Sequence, residues 1–256
     1  MRLGQLVKET RGDHWLIPRY FKYAKKRKPE EEAKHAAAIL GRKERDRSQG
    51  WSSSSAGGCI RAQLYTARKA PKAPVEDKSM GYFMNGHFMH LRHQVAGLSA
   101  GYLTEVEVPV VIEELNVRGT MDGITSEGII AEFKSINPYG YRKVAQFGPK
   151  PEHVRQVNAY MRASDIKSAR LLYEDKGTNE MSEFLLNFDP KIDALNVKDW
   201  EELNTHMEEG TRPKMLPECQ QEEGRYKWCP FAEECMKDHR QERKSRIRLT
   251  SSSDGD

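Results

Sequence analysis

The stretch "GTMDGITSEGIIAEFKSI", residues 119–136, narrows what this chain can fold into more than any other. With a two-residue period it gives one strand through Asp122, a turn at "TSEG" and a second strand that starts near Ile129. Alternation puts Glu132 and Lys134 on one face and turns Phe133 the other way, into the core. The apolar Ile129, Ile130 and Ala131 mark the second strand as central and buried. A carboxylate and an ammonium directed into a buried sheet are costly unless they are paired or engaged with a metal. Asp122 and Glu132, on neighbouring strands, offer the oxygen ligands that Mg²⁺ or Mn²⁺ prefers. An ion there can activate water and neutralise a phosphodiester, with Lys134 orienting the water or steadying the developing charge. The spacing alone is equally compatible with an ordinary Glu–Lys pair on an exposed hairpin.

The flanks supply the rest of an architecture. "KSMGYFMNGHFMHLRHQVAGL", from Lys78, has apolar residues at helical spacing, and "YLTEVEVPVVIEEL" alternates as a half-buried strand does. "PEHVRQVNAYMRASDI" returns to helical spacing, "SARLLYEDK" and "EMSEFLLNFD" form a strand pair, and the chain is helical again from about Val197. Residues 1–58 form a charged segment with a helix starting at Pro29, and "CIRAQLYTARKA" is a short helix. Residues 241–256, basic and then polar, are expected to be a disordered tail. This order predicts an α/β (α+β) fold: a central mixed sheet flanked by helices, with a helical metal-bearing flank. Residues 59–240 are expected to form one domain whose core spans about 80–190.

Charge adds a mild basic excess, 42 Lys+Arg against 38 Asp+Glu, compatible with nucleic acid and weak evidence alone. The absence of a long apolar run or an apolar N-terminal region points away from membranes and to a cytoplasmic protein. Cysteines there stay reduced, so the four in this chain point to metal rather than to disulfides. "CQQEEGRYKWCPFAEECMKDH" suits a self-contained Cys3His zinc finger of Cys219, Cys229, Cys235 and His239. Alternatively the three cysteines take their fourth partner from Cys59, 160 residues upstream. No G-x-x-x-x-G-K-[ST] stretch is present, so any helicase activity would belong to a partner.

The D-x(n)-E-x-K hairpin resembles the PD-(D/E)XK nuclease superfamily, and its neighbours resemble the RecB-like branch. "NGHFMHLRHQV", with Gly86 and His90, looks like that branch's upstream G-x-x-x-H helix. "HVRQVNAYM", with Gln156 and Tyr160, looks like its downstream Q-x-x-x-Y helix, and "ARLLYEDKGTNEMSEFLLNFD" resembles the strand pair that follows. The resemblance implies His90, Asp122 and Glu132 as metal ligands and Lys134 as the catalytic lysine. Gln156 and Tyr160 would position the lysine or the DNA. His87 can share a helix face with His90 and is the second choice, whereas His93 has drifted off that face.

The iron–sulfur members of this group, the CRISPR-associated RecB-like and AddB-type nucleases, place one cysteine before an Arg and an aromatic, upstream of the core. Three more cysteines follow the core. "CIRAQLY" (Cys59, Arg61, Tyr65) and the trio Cys219, Cys229 and Cys235 fit that layout. The nine residues between Cys219 and Cys229 depart from it. The implied cofactors are Mg²⁺ or Mn²⁺ and a structural [4Fe–4S] cluster that ties the two ends of the domain together. The implied activity is a metal-dependent DNA exonuclease acting on single-stranded or end-containing DNA, in a prokaryotic or phage-infected cell, with a helicase or recombination partner. The alternatives are a non-catalytic zinc-finger protein that binds nucleic acid and a CRISPR-type adaptation factor acting mainly through partners. The basic stretches Lys22–Arg47 and Lys237–Arg248 would track the DNA backbone. Tyr82, Phe83 and Tyr139 are either base-stacking contacts or plain core and loop aromatics.

Overall fold

The structure, a computed structural model, describes residues 14–42, 50–220 and 229–251. Its elements run α1 (Leu16–Ala24), α2 (Pro29–Leu40), β1 (Trp51–Ser52), α3 (Ile60–Ala67), α4 (Asp77–Ala100), β2 (Leu103–Ile112), β3 (Val117–Thr125) and β4 (Ile130–Ile136). There follow α5 (Pro138–Phe147), α6 (Pro151–Ser164), β5 (Ser168–Asp175), β6 (Met181–Asn187), α7 (Pro190–Glu208) and α8 (Ala232–Ser251). The chain divides into two compact units. One holds the residues through Gly57 together with Asp77–Trp200; the other holds Gly58–Glu76 together with the residues from Glu201 on.

The first unit contains a mixed sheet, six-stranded among the described residues, in the order β1-β3-β4-β5-β6 with β2 beside β3. β4 runs parallel to β5 and antiparallel to β3. Apolar clusters cover both faces, which is why β4 and β5 read as nearly unbroken apolar runs. One cluster joins Met121, Ile130, Leu171 and Tyr173 to Val157 and Tyr160 of α6. The other joins Phe133 and Leu172 to Met89 of α4 and to Trp15 and Leu16. This is the mixed sheet flanked by helices that the alternation and helical spacing predicted.

The register between β3 and β4 locates the site. The two strands pair at Gly123↔Ala131 and Ile124↔Ile130. At the next position a side chain substitutes for the ladder: the Phe133 N–H donates to Asp122 Oδ2 at 2.7 Å. The sheet is thus open where Asp122 and Glu132 stand, and buried on both sides of that opening.

Two helices were not legible in the sequence. In α1, Pro18 sits in the first turn, where a missing N–H costs nothing. The other N–H groups at that end, from Trp15, Leu16 and Ile17, donate to the buried Glu183 carboxylate at 2.9–3.2 Å. Arg170 pairs with the same carboxylate at 3.1 Å. This long-range cap, and not helix propensity, holds α1 in place. In α5, the Asn137 side chain caps the helix by accepting from the Gly140 N–H at 2.7 Å.

α7 begins at Pro190, ahead of the expected start near Val197. The basic stretch from 241, expected to open a disordered tail, continues as helix to Ser251. Residues 252–256, with part of the predicted polar tail, lie outside the described residues, as do 1–13 and the end of the Lys22–Arg47 stretch from 43 on. On α2 and just before it, Arg27 and Lys28 pair with the helix's own Glu32 and Glu31, as a solvated charged helix does. No described helix is long and apolar enough to cross a membrane.

Candidate active site

Four elements aim side chains into the opening between β3 and β4. β3 contributes Asp122, β4 contributes Glu132 and Lys134 from one face, and α6 contributes Gln156 and Tyr160. α4 approaches from the opposite face with His90. Burial fixes the roles of the charges. Glu132 is 2% exposed and Asp122 is 8% exposed, so neither carboxylate can rely on water for solvation.

Lys134 Nζ lies 2.8 Å from Glu132 Oε1 and donates to Gln156 Oε1, also at 2.8 Å. The Gln156 amide donates in turn to Glu132 Oε1 at 2.9 Å and to the Tyr160 hydroxyl at 2.6 Å. The Tyr160 hydroxyl in turn donates a hydrogen bond to the Thr120 carbonyl at 2.9 Å. One helix turn separates Gln156 from Tyr160, and that spacing lets the pair act as a strut behind the lysine. His90 Nδ1 is 3.0 Å from Asp122 Oδ1.

These contacts leave one atom without a partner: Glu132 Oε2 is buried and makes no hydrogen bond. A buried carboxylate oxygen without a donor is expensive unless a proton or a cation meets it. Burial pushes the Glu132 carboxyl up to about 7, and the neighbouring Asp122 charge adds to the rise against the pull of Lys134 and His90. Burial acts the same way on Asp122, but His90, Lys134 and the Phe133 N–H outweigh it, and its net shift is downward. Lys134 moves up: the two carboxylates overcome its burial and keep it charged.

The donor set therefore fits a hard divalent cation, with Asp122 and Glu132 as oxygen ligands and His90 beside them. As the side chains stand, no three His, Cys, Asp or Glu among the described residues are arranged to hold an ion. The Asp122 oxygens are occupied by His90 and Phe133, and Glu132 Oε1 by Lys134 and Gln156.

His87 is exposed on α4, its ring centroid 6.1 Å from that of Phe88, and does not join this group. His93, set aside in the sequence because it drifts off the His90 face, is buried for another purpose. Its ring stacks on Phe133 at 4.9 Å and its Nε2 meets Glu174 Oε2 at 2.7 Å, with Arg92 pairing the same carboxylate. Gln94 also reaches the site from behind, donating to the Asp122 carbonyl at 3.0 Å. The sequence signal for this backing layer was Glu174 itself, an acid at the end of the apolar run "LLY".

The four cysteines all fall in the second unit. None is in a disulfide. Burial pushes the Cys235 thiol up; Arg61 opposes this, and Cys59, Cys229 and Cys219 are near enough to add to the rise. Non-covalent contacts surround the same place. Arg61, 1% exposed, donates to the Pro213 carbonyl at 2.9 Å and pairs with Glu242 at 3.1 Å. The Tyr65 hydroxyl donates to Asp238 at 2.7 Å, and its ring packs on Phe231 with centroids 5.6 Å apart. Arg61 and Tyr65, the polar and aromatic members of "CIRAQLY", thus tie α3 to α8 within this unit.

No protein-family model matches the chain, and no curated protein matches it. Solved structures do align with it. SSO0001 covers 80% of this chain and 93% of its own at 16% identity, with a TM-score of 0.48. LHK-Exo, the alkaline exonuclease of Laribacter hongkongensis, in complex with dAMP, covers 62% of this chain and 90% of its own at 13% identity and a TM-score of 0.48. A phage-related exonuclease from Haemophilus somnus covers 59% and 81% at 12% identity and a TM-score of 0.42. Likeness at this level transfers no activity and no residue role, so function has to be argued from this chain's own side chains.

Proposed function

We propose that the chain is a metal-dependent deoxyribonuclease of the PD-(D/E)XK type, acting as an exonuclease on single-stranded or end-containing DNA. The observation that carries this reading is the buried, partnerless Glu132 Oε2 beside Asp122, with a charged lysine fixed 2.8 Å from the other oxygen of the same carboxylate. Asp122, Glu132 and His90 would hold Mg²⁺ or Mn²⁺, which supplies a lowered pKa for water and charge neutralisation at the scissile phosphate.

The chain's own residues do the rest. Lys134, charged and aimed by Glu132 and Gln156, orients the attacking water and meets the negative charge that develops on the phosphoryl oxygens. Gln156 and Tyr160 hold the lysine's direction, so its position is set before DNA arrives. His90 keeps Asp122 ionised and oriented. His93, Glu174 and Phe133 form the packed layer behind β4 that stops the opening from collapsing.

A structural [4Fe–4S] cluster on Cys59, Cys219, Cys229 and Cys235 belongs to the same proposal; it rests on the other three thiols acting on the Cys235 thiol, and as the side chains stand no three of the described cysteines are arranged to hold an ion. A cytoplasmic setting and a helicase or recombination partner that supplies DNA ends complete the proposal. The test is digestion of DNA labelled at one end and blocked at the 5′ or the 3′ terminus, with Mg²⁺ or Mn²⁺. Stepwise release of nucleotides from one unblocked end supports the exonuclease. Cutting that ignores both blocks rejects it in favour of an endonuclease, and no cutting under any condition rejects the nuclease.

A further inference from the structure

The first half of α4 has no packing explanation. From Met89 onward the helix buries a face against the sheet, but in the turns before it Tyr82, Phe83 and Phe88 are 49–62% exposed. Tyr139, at the start of α5, is 62% exposed as well. Large aromatics left in water at this density have a use.

Their placement ties them to the active-site strand. At Gly86, one turn after Tyr82, the backbone of α4 comes so close to β4 that an added Cβ would sit 3.2 Å from Ser135 Oγ, next to Lys134. The Lys176 N–H donates to the Ile136 carbonyl at the end of β4, and Lys176 Nζ donates to the Tyr82 carbonyl at 3.2 Å. Gly177 in turn lies against Pro138, so the same turn separates Tyr82 from Tyr139. Phe88, Arg92, Ser135 and Lys176 line a single cleft of about 350 Å³. Glu174, the acid in that cleft, is already matched by Arg92 and His93.

Two of the rings carry cations. Lys176 lies over Tyr82 at 5.5 Å, and Lys143 over Tyr139 at 4.4 Å. Exposed π faces interleaved with lysines match the two demands of a single nucleic-acid strand: planar bases to stack and phosphates to neutralise. A duplex keeps its base faces hidden in its own stack and gains nothing from such rings. A protein-docking face would concentrate apolar area at its centre and keep charge at its margin, whereas here the cations lie on the rings themselves.

We propose that Tyr82, Phe88 and Tyr139 form a stacking platform for unpaired bases of the DNA strand being cut, with Lys143 and Lys176 on its phosphates. This rests on the nuclease reading for its ligand and adds to it the selection of single-stranded over duplex DNA.

The test uses the full chain in EDTA, so that binding is read without cleavage. Anisotropy compares a labelled oligothymidine with a blunt duplex, for the intact sequence, for Phe88→Ala and for the double variant Tyr82→Ala/Tyr139→Ala. Single-strand affinity is expected to fall about ten-fold or more per stacked ring removed, with duplex affinity and the circular dichroism spectrum unchanged. With Mn²⁺ restored, KM for single strands rises while turnover of a small aryl phosphodiester is unaffected. Equal single-strand affinity in the variants overturns the platform, and so does an equal loss on both DNA forms. Loss of self-association with intact DNA binding also overturns it, in favour of a protein-docking face. Ring-dependent single-strand binding by a chain that hydrolyses nothing would sustain the platform while removing the nuclease.

Discussion

Lys134 and Glu132 meet through a 2.8 Å ion pair that uses one carboxylate oxygen and leaves the other buried without a donor. A purely structural Glu–Lys pair would satisfy both oxygens or expose the spare one to water, because an unsatisfied buried acceptor costs about 1–3 kcal/mol. The half-used carboxylate is what separates this hairpin from the ordinary exposed pair that its spacing also permitted.

Removing the lysine should therefore damage chemistry more than stability. Lys134→Ala is expected to slow single-turnover DNA hydrolysis by about 10²–10³-fold, the usual scale for losing a group that meets developing charge. Gln156→Ala should cost less, since Glu132 still holds the lysine. Rapid-quench assays of both variants check the order, and a larger loss for Gln156→Ala would contradict it.

Metal affinity should follow the oxygen ligands and not His87. Glu132→Gln is expected to weaken Mn²⁺ binding by about ten-fold or more, since the amide carries no charge to offer the ion. His87→Ala should leave it unchanged, because His87 is exposed and apart from the carboxylates. Calorimetric titration of Mn²⁺ into each purified variant decides the point.

Glu183 is expected to matter for folding alone. It accepts N–H groups at the start of α1 and pairs with the buried Arg170. Glu183→Ala breaks that buried ion pair and uncaps the helix, with an expected destabilisation of about 3–5 kcal/mol. Urea unfolding measures it.

His153 gives stability a pH dependence whose sign is fixed. Burial, with the charges of Lys134 and Lys150, pushes its imidazole down to about 3 from an ordinary 6.5. Its Nδ1 lies 2.8 Å from the Tyr173 hydroxyl, so the folded chain keeps it neutral. The unfolded chain takes up the proton first. Stability from this group is therefore complete above 6.5 and is lost as pH falls from there towards 3, with a slope approaching about 1.4 kcal/mol per pH unit. His153→Gln should flatten that part of the profile.

The cysteines separate two cofactors. With four thiolate ligands, Cys59→Ser lowers iron and sulfide content after anaerobic purification and His239→Ala does not. A finger closed by His239 gives the reverse, with zinc in place of iron and Cys59→Ser silent.

The sheet was legible because strands buried on both faces leave unbroken apolar runs, as in "IIAEF" and "ARLLY". Glu132 and Lys134 were legible because a period of two settles which side chains share a face. α1 was not, since its stability comes from Glu183, more than 160 positions away, rather than from its own residues. The partners of His93 were hidden for a similar reason. Helical spacing shows which face a residue occupies, but it cannot show that Phe133 and Glu174 await it there. The open register between β3 and β4, which makes room for the site, appears only once the strands are paired.

The most direct measurement is single-turnover digestion of end-labelled DNA by metal-replete protein, comparing the unaltered chain with Glu132→Gln and Lys134→Ala. Cleavage that requires Mg²⁺ or Mn²⁺, stops with EDTA and falls about 10²-fold or more in each variant is the predicted result. Degradation at equal rates with and without either substitution would contradict the assignment of this site.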